Sequence, residues 1–360
     1  MERKPLKIGI TQGDVNGISY EVILKTLADA EVYEGQAVVL YGSSRAAEFY
    51  KQKLEIDLPL VRVASAAQAA FDKVSMVDCC DPSLNVEPGQ STQAAGKAAF
   101  DALEAAVRDI KAGQLDVLVT GPINKANIQS DQFRFPGHTE YLEQCFAEEG
   151  QKALMLLVGE TLRVAVATGH ISVDEVARCL SVPMLLEKIQ ALNFSLKQDF
   201  GLDRPRIAVL ALNPHAGDGG LIGQQEQDVI APAVEQAQKE GICCFGPVSA
   251  DGFFGSDRYS SYDGILAMYH DQGLIPFKTL AMDRGVNFTA GLPVVRTSPD
   301  HGTAYDLAGT GQASEASFRE ALFMACDIWH RREEYKEIHR NPLKHRNLGK
   351  EFGAGAASME

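Results

Sequence analysis

Short runs of apolar residues recur along the chain, and most of them lead directly into a loop rich in glycine, histidine or asparagine. Continuous apolar runs of this length are typical of strands buried on both faces, as in parallel sheets covered by helices. The runs and their loops stand at 6–14, 117–122, 164–170, 207–215, 265–271 and 292–298. We therefore predict a buried sheet with polar loops at the carboxyl ends of its strands.

Helical patterns separate these runs, and the clearest covers residues 92–111, where alanines, Phe100 and Leu103 recur at helical spacing. Ser91 is the predicted N-cap of this helix, and Gly113 is its predicted stop. Strands that alternate with helices indicate an α/β architecture. In open α/β sheets, ligands bind beyond the carboxyl ends of the strands, which is where the polar loops lie.

The length and composition of the chain predict a two-lobed cytoplasmic protein. At 360 residues the chain exceeds the size at which one hydrophobic core usually stops growing. The net charge of -14 disfavours nucleic-acid binding, so an anionic substrate must meet locally placed cations. We recognise no signal peptide and no membrane-spanning run. The seven cysteines form neither a CxxC pair nor an even disulfide framework, which favours a reducing compartment.

Three histidines, His170, His215 and His270, each follow an apolar run directly. A parallel sheet, or two facing sheets, would bring them to one edge, where they suit Zn²⁺ or a similar divalent ion with an open position for substrate. Their spacing matches no local signature such as HExxH, and a histidine at a strand end is often a hydrogen-bonded structural residue. Asp251 and Asp271 could orient the ligands or take a proton, or serve as turn or capping residues.

The chain contains no ordinary nucleotide-binding fingerprint, since neither GxGxxG nor GxxxxGKS/T occurs. The glycine-rich stretch 213–220 ends an apolar run, so its amides could approach an anion closely. The loop 301–309 resembles the adenosine-binding loop of the isocitrate and isopropylmalate dehydrogenases, which hold NAD without that fingerprint. Without this resemblance it is a polar loop that enters a helix. The predicted cofactor residues are His301, Gly302, Thr303, Ala304 and Asp306.

Several motifs in order along the chain resemble those of the 4-hydroxythreonine-4-phosphate dehydrogenase family of pyridoxal phosphate biosynthesis. The resemblance extends from Ile8 to Leu322, almost the whole chain. Its most specific motifs are TGPINK at 120–125, FPGHTE at 135–140, NPHAG at 213–217, MYHDQG at 268–273 and RTSPDHG at 296–302.

The resemblance implies two α/β/α lobes with a cleft between them, an isocitrate/isopropylmalate dehydrogenase-like fold. Residues 1–125 and 286–330 would form the cofactor-side lobe. Residues 126–285 would form the lobe for the metal, the substrate and dimerisation. Residues 331–360 would form a charged C-terminal tail that frays or carries one exposed helix.

The resemblance also implies metal ligation by His170, His215 and His270, and substrate contacts from five further residues. These are His138, Thr139, Lys278, Asn287 and Arg296. Lysine and arginine would supply the local cations that so acidic a protein requires for a phosphate. A homodimer is implied as well, with an active site at the subunit interface that takes His170 and His215 from one chain and His270 from its partner.

The implied reaction is the oxidation of 4-phosphohydroxy-L-threonine by NAD, or alternatively by NADP, with one divalent ion (Zn²⁺, Mg²⁺, Mn²⁺ or Co²⁺) per site. The resulting 3-oxo acid would lose CO₂ to give 3-amino-2-oxopropyl phosphate. The proton acceptor is open among Asp251, Lys125 and metal-bound water. The alternatives are 4-phosphoerythronate or 4-phosphothreonate as substrate within the family, and outside it a metallohydrolase or a metal-stabilised binding protein.

The N-terminal segment 11–21 departs from the family pattern, which more usually has proline after the acid and Gly-Pro before the glutamate. This chain has Val15, Ser19 and Tyr20 at those positions, and it keeps the acidic residues Asp14 and Glu21. We expect an altered loop shape and an altered substrate preference here, with catalysis retained.

Overall fold

The computed structural model describes residues 4–281 and 283–341, in which strands and helices alternate. The strands are β1 (Lys7–Thr11), β2 (Ala37–Gly42), β3 (Leu60–Val63), β4 (Lys73–Asp78), β5 (Val117–Thr120), β6 (Leu154–Val158), β7 (Arg163–Val166), β8 (Ile207–Leu210), β9 (Cys244–Val248), β10 (Gly264–Ala267), β11 (Val286–Ala290) and β12 (Val295–Pro299). The helices are α1 (Ser19–Ala28), α2 (Ser44–Lys53), α3 (Gln93–Lys111), α4 (His138–Phe146), α5 (Val173–Cys179), α6 (Val182–Gln198), α7 (Ala231–Lys239), α8 (Ala250–Phe254), α9 (His270–Ala281) and α10 (Ala316–His339). The predicted α/β class is confirmed.

The described strands form one sheet in the order β3-β4-β2-β1-β5-β12-β11-β6-β7-β10-β8-β9. The six strands from β3 to β12 pair in parallel, and so do the four strands from β7 to β9. Antiparallel pairing through β11 and β6 joins these two halves. Because three antiparallel pairs in succession separate the halves, their strands run in opposite directions. The lobe boundaries given above remain a prediction.

The apolar runs predicted as strands form the buried centre of each half. β1, β5, β7, β8 and β10 coincide with their runs, and nearly all of their residues are buried. The sixth prediction is displaced, because the run 292–295 mostly forms the turn before β12. The strand itself continues through the buried polar residues Arg296, Thr297 and Ser298. Hydrogen bonds hold Arg296 and Thr297 in the interior, as when the hydroxyl of Thr297 donates to the carbonyl of Ala321 at 2.7 Å.

Helix α3 begins one residue later than the pattern predicts. Thr92, not Ser91, is its N-cap, because the Thr92 hydroxyl accepts a hydrogen bond from the amide of Ala95 at 3.2 Å. Gly113 ends the helix as predicted. Its φ of 68° is left-handed, and its amide donates to the carbonyl of Ile110 at 2.9 Å.

Helix α10 packs against β12 and β5 and is held by a buried ion pair. Nε of Arg332 lies 2.6 Å from Oδ1 of Asp199, the C-cap residue of α6. The charged region predicted from residue 331 onward thus begins inside this helix, which continues to His339. The remainder of that region, 342–360, lies outside the described residues. None of the described helices is both long and apolar enough to cross a membrane.

Candidate active site

A cavity of about 460 Å³ lies over one face of the central strands β6, β11 and β12. The antiparallel register pairs Asn287 of β11 with Ser298 of β12 on one side and with Leu157 of β6 on the other, and paired residues share a face. Arg296 stands two residues before Ser298 and shares that face as well. The first turns of α4 and α9 and the loops after β5 and β12 form the walls. The cavity therefore lies where the two halves of the sheet meet.

Arg296 is a buried cation in this cavity, with 3% of its surface exposed. Its Nε and Nη2 donate to Oγ1 of Thr120 at 3.0 and 2.6 Å, and its Nη1 donates to Oγ1 of Thr289 at 3.2 Å. No carboxylate of the described residues lies within ion-pair distance of it. Burial lowers the pKa of Arg296 to about 9, against the raising effect of Glu140, so the guanidinium stays protonated at neutral pH. A buried charge without a counter-ion is costly, and here it indicates a site for an anionic ligand.

The other residues implied for substrate binding line the same cavity. They are His138, Thr139, Lys278 and Asn287. Burial above all, and then Arg296 and Lys125, hold the pKa of His138 well below its ordinary value, so its imidazole is neutral. Oδ1 of Asn287 is buried without a hydrogen-bond partner, and Nζ of Lys278 lies 3.4 Å from Oδ1 of Asp300. The structure thus brings these four residues and Arg296 together.

His170 and His270 also line the cavity, and their ring centroids are 5.6 Å apart. Nδ1 of His270 lies 2.7 Å from Oδ1 of Asp271, which leaves Nε2 free. Nε2 of His170 lies 2.7 Å from Nζ of Lys125, a predicted catalytic residue that is therefore also in the cavity. Burial lowers the pKa of Lys125, while Glu140 opposes that shift. The expectation that His270 reaches His170 from the partner subunit is corrected here. The two residues follow the neighbouring strands β7 and β10 of one chain.

His215 does not line this cavity. It lies exposed in the 3₁₀ turn Pro214–Gly220 after β8, where residues 215–219 all have left-handed φ values between 44° and 78°. The carboxylate of Glu226 holds the start of this turn, because its Oε1 accepts hydrogen bonds from the amides of Leu212 and Asn213, both at 2.8 Å. Hydrogen bonds thus hold this turn in a shape that exposes the imidazole of His215 on the surface of the chain.

Asp251 also lies outside the cavity, in the short helix α8. The hydroxyl of Ser249 donates to its Oδ1 at 2.6 Å, and this bond, more than the neighbouring His215, lowers the pKa of Asp251. Within the described residues, no group of three or more histidine, cysteine, aspartate or glutamate side chains is placed to hold a metal ion. One chain therefore contributes two of its three predicted metal ligands, His170 and His270, to the cavity, and it presents His215 and Asp251 elsewhere.

The predicted cofactor loop begins at the cavity and continues onto the N-terminal segment. His301 and Gly302 line the cavity, and Nε2 of His301 is buried without a partner. The carbonyl of Thr303 accepts a hydrogen bond from the amide of Ile18 at 2.9 Å. Ala304, with a left-handed φ of 39°, leads into the 3₁₀ turn Tyr305–Leu307, which contains the exposed Asp306. Only the first two of the five predicted cofactor residues reach the cavity.

The positions that depart from the family pattern are buried packing positions. Val15, Ser19 and Tyr20 have no exposed surface and do not line the cavity. The hydroxyl of Tyr20 donates to Oε1 of Gln12 at 2.8 Å, and that of Ser19 donates to the carbonyl of Pro122 at 3.1 Å. These residues therefore shape the segment that supports the loop after β5, without facing a ligand.

Two acidic residues of the cavity, and a buried acid that is hydrogen-bonded to the loop 301–309, were not among the predicted site residues. Glu140 of the motif FPGHTE and Asp300 of the motif RTSPDHG both line the cavity. Asp14 is fully buried, and its Oδ2 accepts hydrogen bonds from Tyr305 at 2.7 Å and from Asn127 at 2.8 Å. Glu140 and Asp300 each lie within two residues of a histidine predicted for the site, His138 and His301, which is the signal that points to them. No local spacing connects Asp14 with residues so distant along the chain.

Fold and cavity together define an α/β protein with a binding site for a small anionic ligand. The chain matches the family model described as pyridoxal phosphate biosynthetic protein PdxA over residues 34–325. A 4-hydroxythreonine-4-phosphate dehydrogenase from Bacteroides thetaiotaomicron is 51% identical over 344 residues, which cover 96% of this chain and 94% of the relative. A protein provisionally named D-threonate 4-phosphate dehydrogenase from Oceanobacillus iheyensis is 35% identical over 332 residues, with 91% and 99% covered.

The fold is shared with a crystal structure of 4-hydroxythreonine-4-phosphate dehydrogenase from Klebsiella pneumoniae. That protein is 34% identical, the TM-score is 0.79, and the match covers 92% of this chain and 100% of that one. The chain therefore belongs to the pyridoxal phosphate biosynthetic protein PdxA family. The resemblance drawn from the motifs is confirmed, and with it the prediction of an oxidoreductase enzyme.

Proposed function

We propose that this protein oxidises 4-phosphohydroxy-L-threonine with NAD and a divalent metal ion, and that the product loses carbon dioxide to give 3-amino-2-oxopropyl phosphate. The observation that carries the proposal is the buried guanidinium of Arg296, which has only hydroxyl partners. A phosphate is an anion that a guanidinium can bind through two parallel hydrogen bonds. The phosphate would replace the missing counter-ion of Arg296.

The other polar groups of the cavity suit the rest of such a substrate. Lys278 adds a second cation, and the neutral imidazole of His138 donates one hydrogen bond and accepts another. Asn287 has a buried oxygen that lacks a donor. Because buried polar atoms are rarely left without partners, this oxygen supports a ligand with a hydroxyl or ammonium group.

The donor set fits a divalent metal ion if a second subunit completes it. His170 and His270 lie side by side, and a carboxylate orients His270 as is usual for metal-binding histidines. We propose His215 of the partner subunit as the third ligand, because its turn presents it away from its own cavity. Exposed apolar side chains close in sequence to the three histidines, Ile171, Leu221 and Ile275, support a subunit interface there. When bound, the ion supplies Lewis acidity that eases deprotonation of the substrate hydroxyl.

Lys125 is the proton acceptor that we favour. Its Nζ is in the cavity beside His170, and burial lowers its pKa, which favours the neutral amine that can accept a proton. Asp251 lies beside His215 outside the cavity, so it would act only from the partner subunit. The hydroxyl proton would pass to Nζ of Lys125 and a hydride to the cofactor. In the 3-oxo acid, the bond to the carboxylate carbon then breaks, and the adjacent carbon takes a proton.

The cofactor is proposed to lie along the loop that starts at His301. Gly302 lines the cavity, and a Cβ atom built there would meet no atom of the described residues within 4 Å other than its chain neighbours. Its backbone also does not require glycine, since its φ is not left-handed. The open space at Gly302 therefore supports a ligand group against the backbone. When bound, NAD supplies the hydride acceptor.

A second candidate substrate is 4-phosphothreonate, which carries a hydroxyl in place of the amine. The relative from Oceanobacillus iheyensis supports it, because its name refers to D-threonate 4-phosphate. The cations of the cavity do not distinguish the two substrates, since both carry a phosphate and a carboxylate.

The proposal is tested by turnover with metal-free protein to which Zn²⁺, Co²⁺, Mn²⁺ or Mg²⁺ is returned. We expect no turnover of 4-phosphohydroxy-L-threonine without the ion, and equal amounts of NADH and carbon dioxide with it. Full activity of the metal-free protein would contradict the role of the metal. Parallel assays with 4-phosphothreonate and 4-phosphoerythronate identify the preferred substrate.

The role of Arg296 is tested in the same assay. Arg296→Ala should raise the KM for the phosphorylated substrate roughly 10- to 100-fold, because hydrogen bonds to charged groups contribute about 1.5–3 kcal/mol. Arg296→Lys keeps the charge but loses the two parallel N–H donors of the guanidinium, so its KM should be intermediate. NAD affinity should be unchanged in both variants. Equal losses for substrate and cofactor would refute the assignment.

A further inference from the structure

Glu140 is a carboxylate of the cavity that no lysine or arginine of the described residues pairs with, and the imidazole of His170 is its one neighbour within ion-pair distance there. It lies in the first turn of α4, next to His138 and Thr139. Its Oε2 is buried and has no hydrogen-bond partner. Its Oε1 lies 3.9 Å from Nδ1 of His170, which is beyond hydrogen-bond distance. The side chain as a whole is 41% exposed, so its exposed surface belongs to atoms other than Oε2.

The cations that line the cavity each have other partners. Nζ of Lys125 lies on Nε2 of His170 at 2.7 Å, and Lys278 lies 3.4 Å from Asp300. Arg296 donates to hydroxyl groups only. None of these cations donates a hydrogen bond to Glu140, so its buried Oε2 is left for a donor that the described residues do not supply.

The position of Glu140 favours a negative charge, because the residue lies in the first turn of α4 and the start of a helix stabilises an anion. An ionised carboxylate repels the phosphate and carboxylate of an anionic substrate unless that substrate brings a positive group.

We propose that Glu140 binds the ammonium group of the substrate and thereby selects the 2-amino acid over the corresponding 2-hydroxy acid. This inference rests on the proposed function, since it assigns one further group of the same substrate. An ammonium donates charge-assisted hydrogen bonds to a carboxylate, which are stronger than those of a neutral hydroxyl. Asp300 is a poorer candidate, because Lys278 already neutralises it and its Oδ2 faces Gly285.

The test compares Glu140→Gln with the wild type on two substrates, 4-phosphohydroxy-L-threonine and the matching acid with a hydroxyl in place of the amine. The glutamine keeps the volume and removes the charge. We expect kcat/KM for the amino acid to fall about 100-fold and kcat/KM for the hydroxy acid to stay level or rise. Glu143→Gln is the matched control, because Glu143 lies on the same helix outside the cavity, and it should leave both values unchanged.

The alternative is that Glu140 only positions His170. Glu140→Gln would then lower kcat/KM for both substrates by the same factor and reduce the content of bound metal, and that result would overturn the inference while leaving the proposed function intact. Binding of each acid to the wild type, measured by calorimetry without cofactor, decides the matter independently of turnover. Tighter binding of the amino acid that disappears in Glu140→Gln supports the inference, whereas equal binding of both acids by the wild type contradicts it. Absence of turnover for both substrates would refute the proposed function alone.

Discussion

At the scale of single residues, His138 is a buried imidazole that resists protonation. Burial, followed by the nearby Arg296 and Lys125, depresses its pKa in the folded protein, whereas the unfolded chain takes up a proton near the ordinary value of about 6.5. Above that pH, both states are neutral and His138 does not affect stability. Below it, only the unfolded state gains the proton, so the free energy of unfolding decreases as the pH is lowered.

We therefore predict that the free energy of unfolding, measured by urea titration on metal-free protein, decreases as the pH is lowered from about 7 to about 5.5. His138→Asn should reduce this slope by up to about 1.4 kcal/mol per pH unit below about pH 6.5. The exposed His339 provides the control, since His339→Asn should leave the slope unchanged. An unchanged slope in His138→Asn would show that the folded protein accommodates the imidazolium at this position.

At the scale of elements, the turn Pro214–Gly220 is unusual because it winds in the left-handed sense through residues that are not all glycine. Ala216 has a φ of 53° and a ψ of 40°. A left-handed conformation costs an L-residue roughly 1–2 kcal/mol, since Cβ approaches the following carbonyl oxygen. Hydrogen bonds to the carboxylate of Glu226 hold the turn in this shape, and the shape exposes His215.

Ala216→Gly should accordingly increase the free energy of unfolding by up to about 1 kcal/mol, because relief of the left-handed strain exceeds the added chain entropy of glycine. Ala177→Gly in the middle of α5 is the matched control, since its residue is exposed and helical. It should lower the free energy of unfolding by about 0.5–1 kcal/mol. Urea unfolding of both variants measures the difference, and losses of similar size in the two would rule out strain in the turn.

At the scale of the whole molecule, the arrangement of histidines determines which inactive variants can restore one another in a dimer. His170 and His270 face one cavity of the same chain, and His215 is proposed to reach the cavity of the partner. In a mixed dimer of His170→Ala and His215→Ala, one site carries both changes and the other is intact. Random mixing should therefore restore about a quarter of the wild-type rate, because half of the dimers are mixed and each has one working site.

The pair His170→Ala and His270→Ala should behave differently. Both residues belong to the same cavity, so every site in the mixed dimer lacks one of them and no activity should return. Co-refolding of each pair, followed by the turnover assay, measures both outcomes. Recovery by the second pair would instead support the division in which His270 comes from the partner subunit.

The sequence by itself determined the elements and the chemical identity of most site residues. The apolar runs of β1, β5, β7, β8 and β10 are local features, because strands buried on both faces must be apolar throughout. The motifs of the family placed Arg296 and His138 among the substrate residues before any contact was known. The sequence and the structure both indicate Arg296 as a cation for an anionic ligand, since an acidic chain that binds a phosphate needs a local cation.

Only the tertiary structure decided how these elements face one another. β6 and β11 pair antiparallel and reverse one half of the sheet, and nothing in a buried apolar run records the direction of its neighbour. The parallel pairing of β7 with β10, also set by contacts distant along the chain, placed His170 beside His270, whereas His215 follows β8 and lies outside the cavity. Likewise, the role proposed for Glu140 depends on its place in the cavity and on its buried Oε2, which has no hydrogen-bond partner among the described residues. Charge pairing depends on distances in space, which local patterns of residues do not contain.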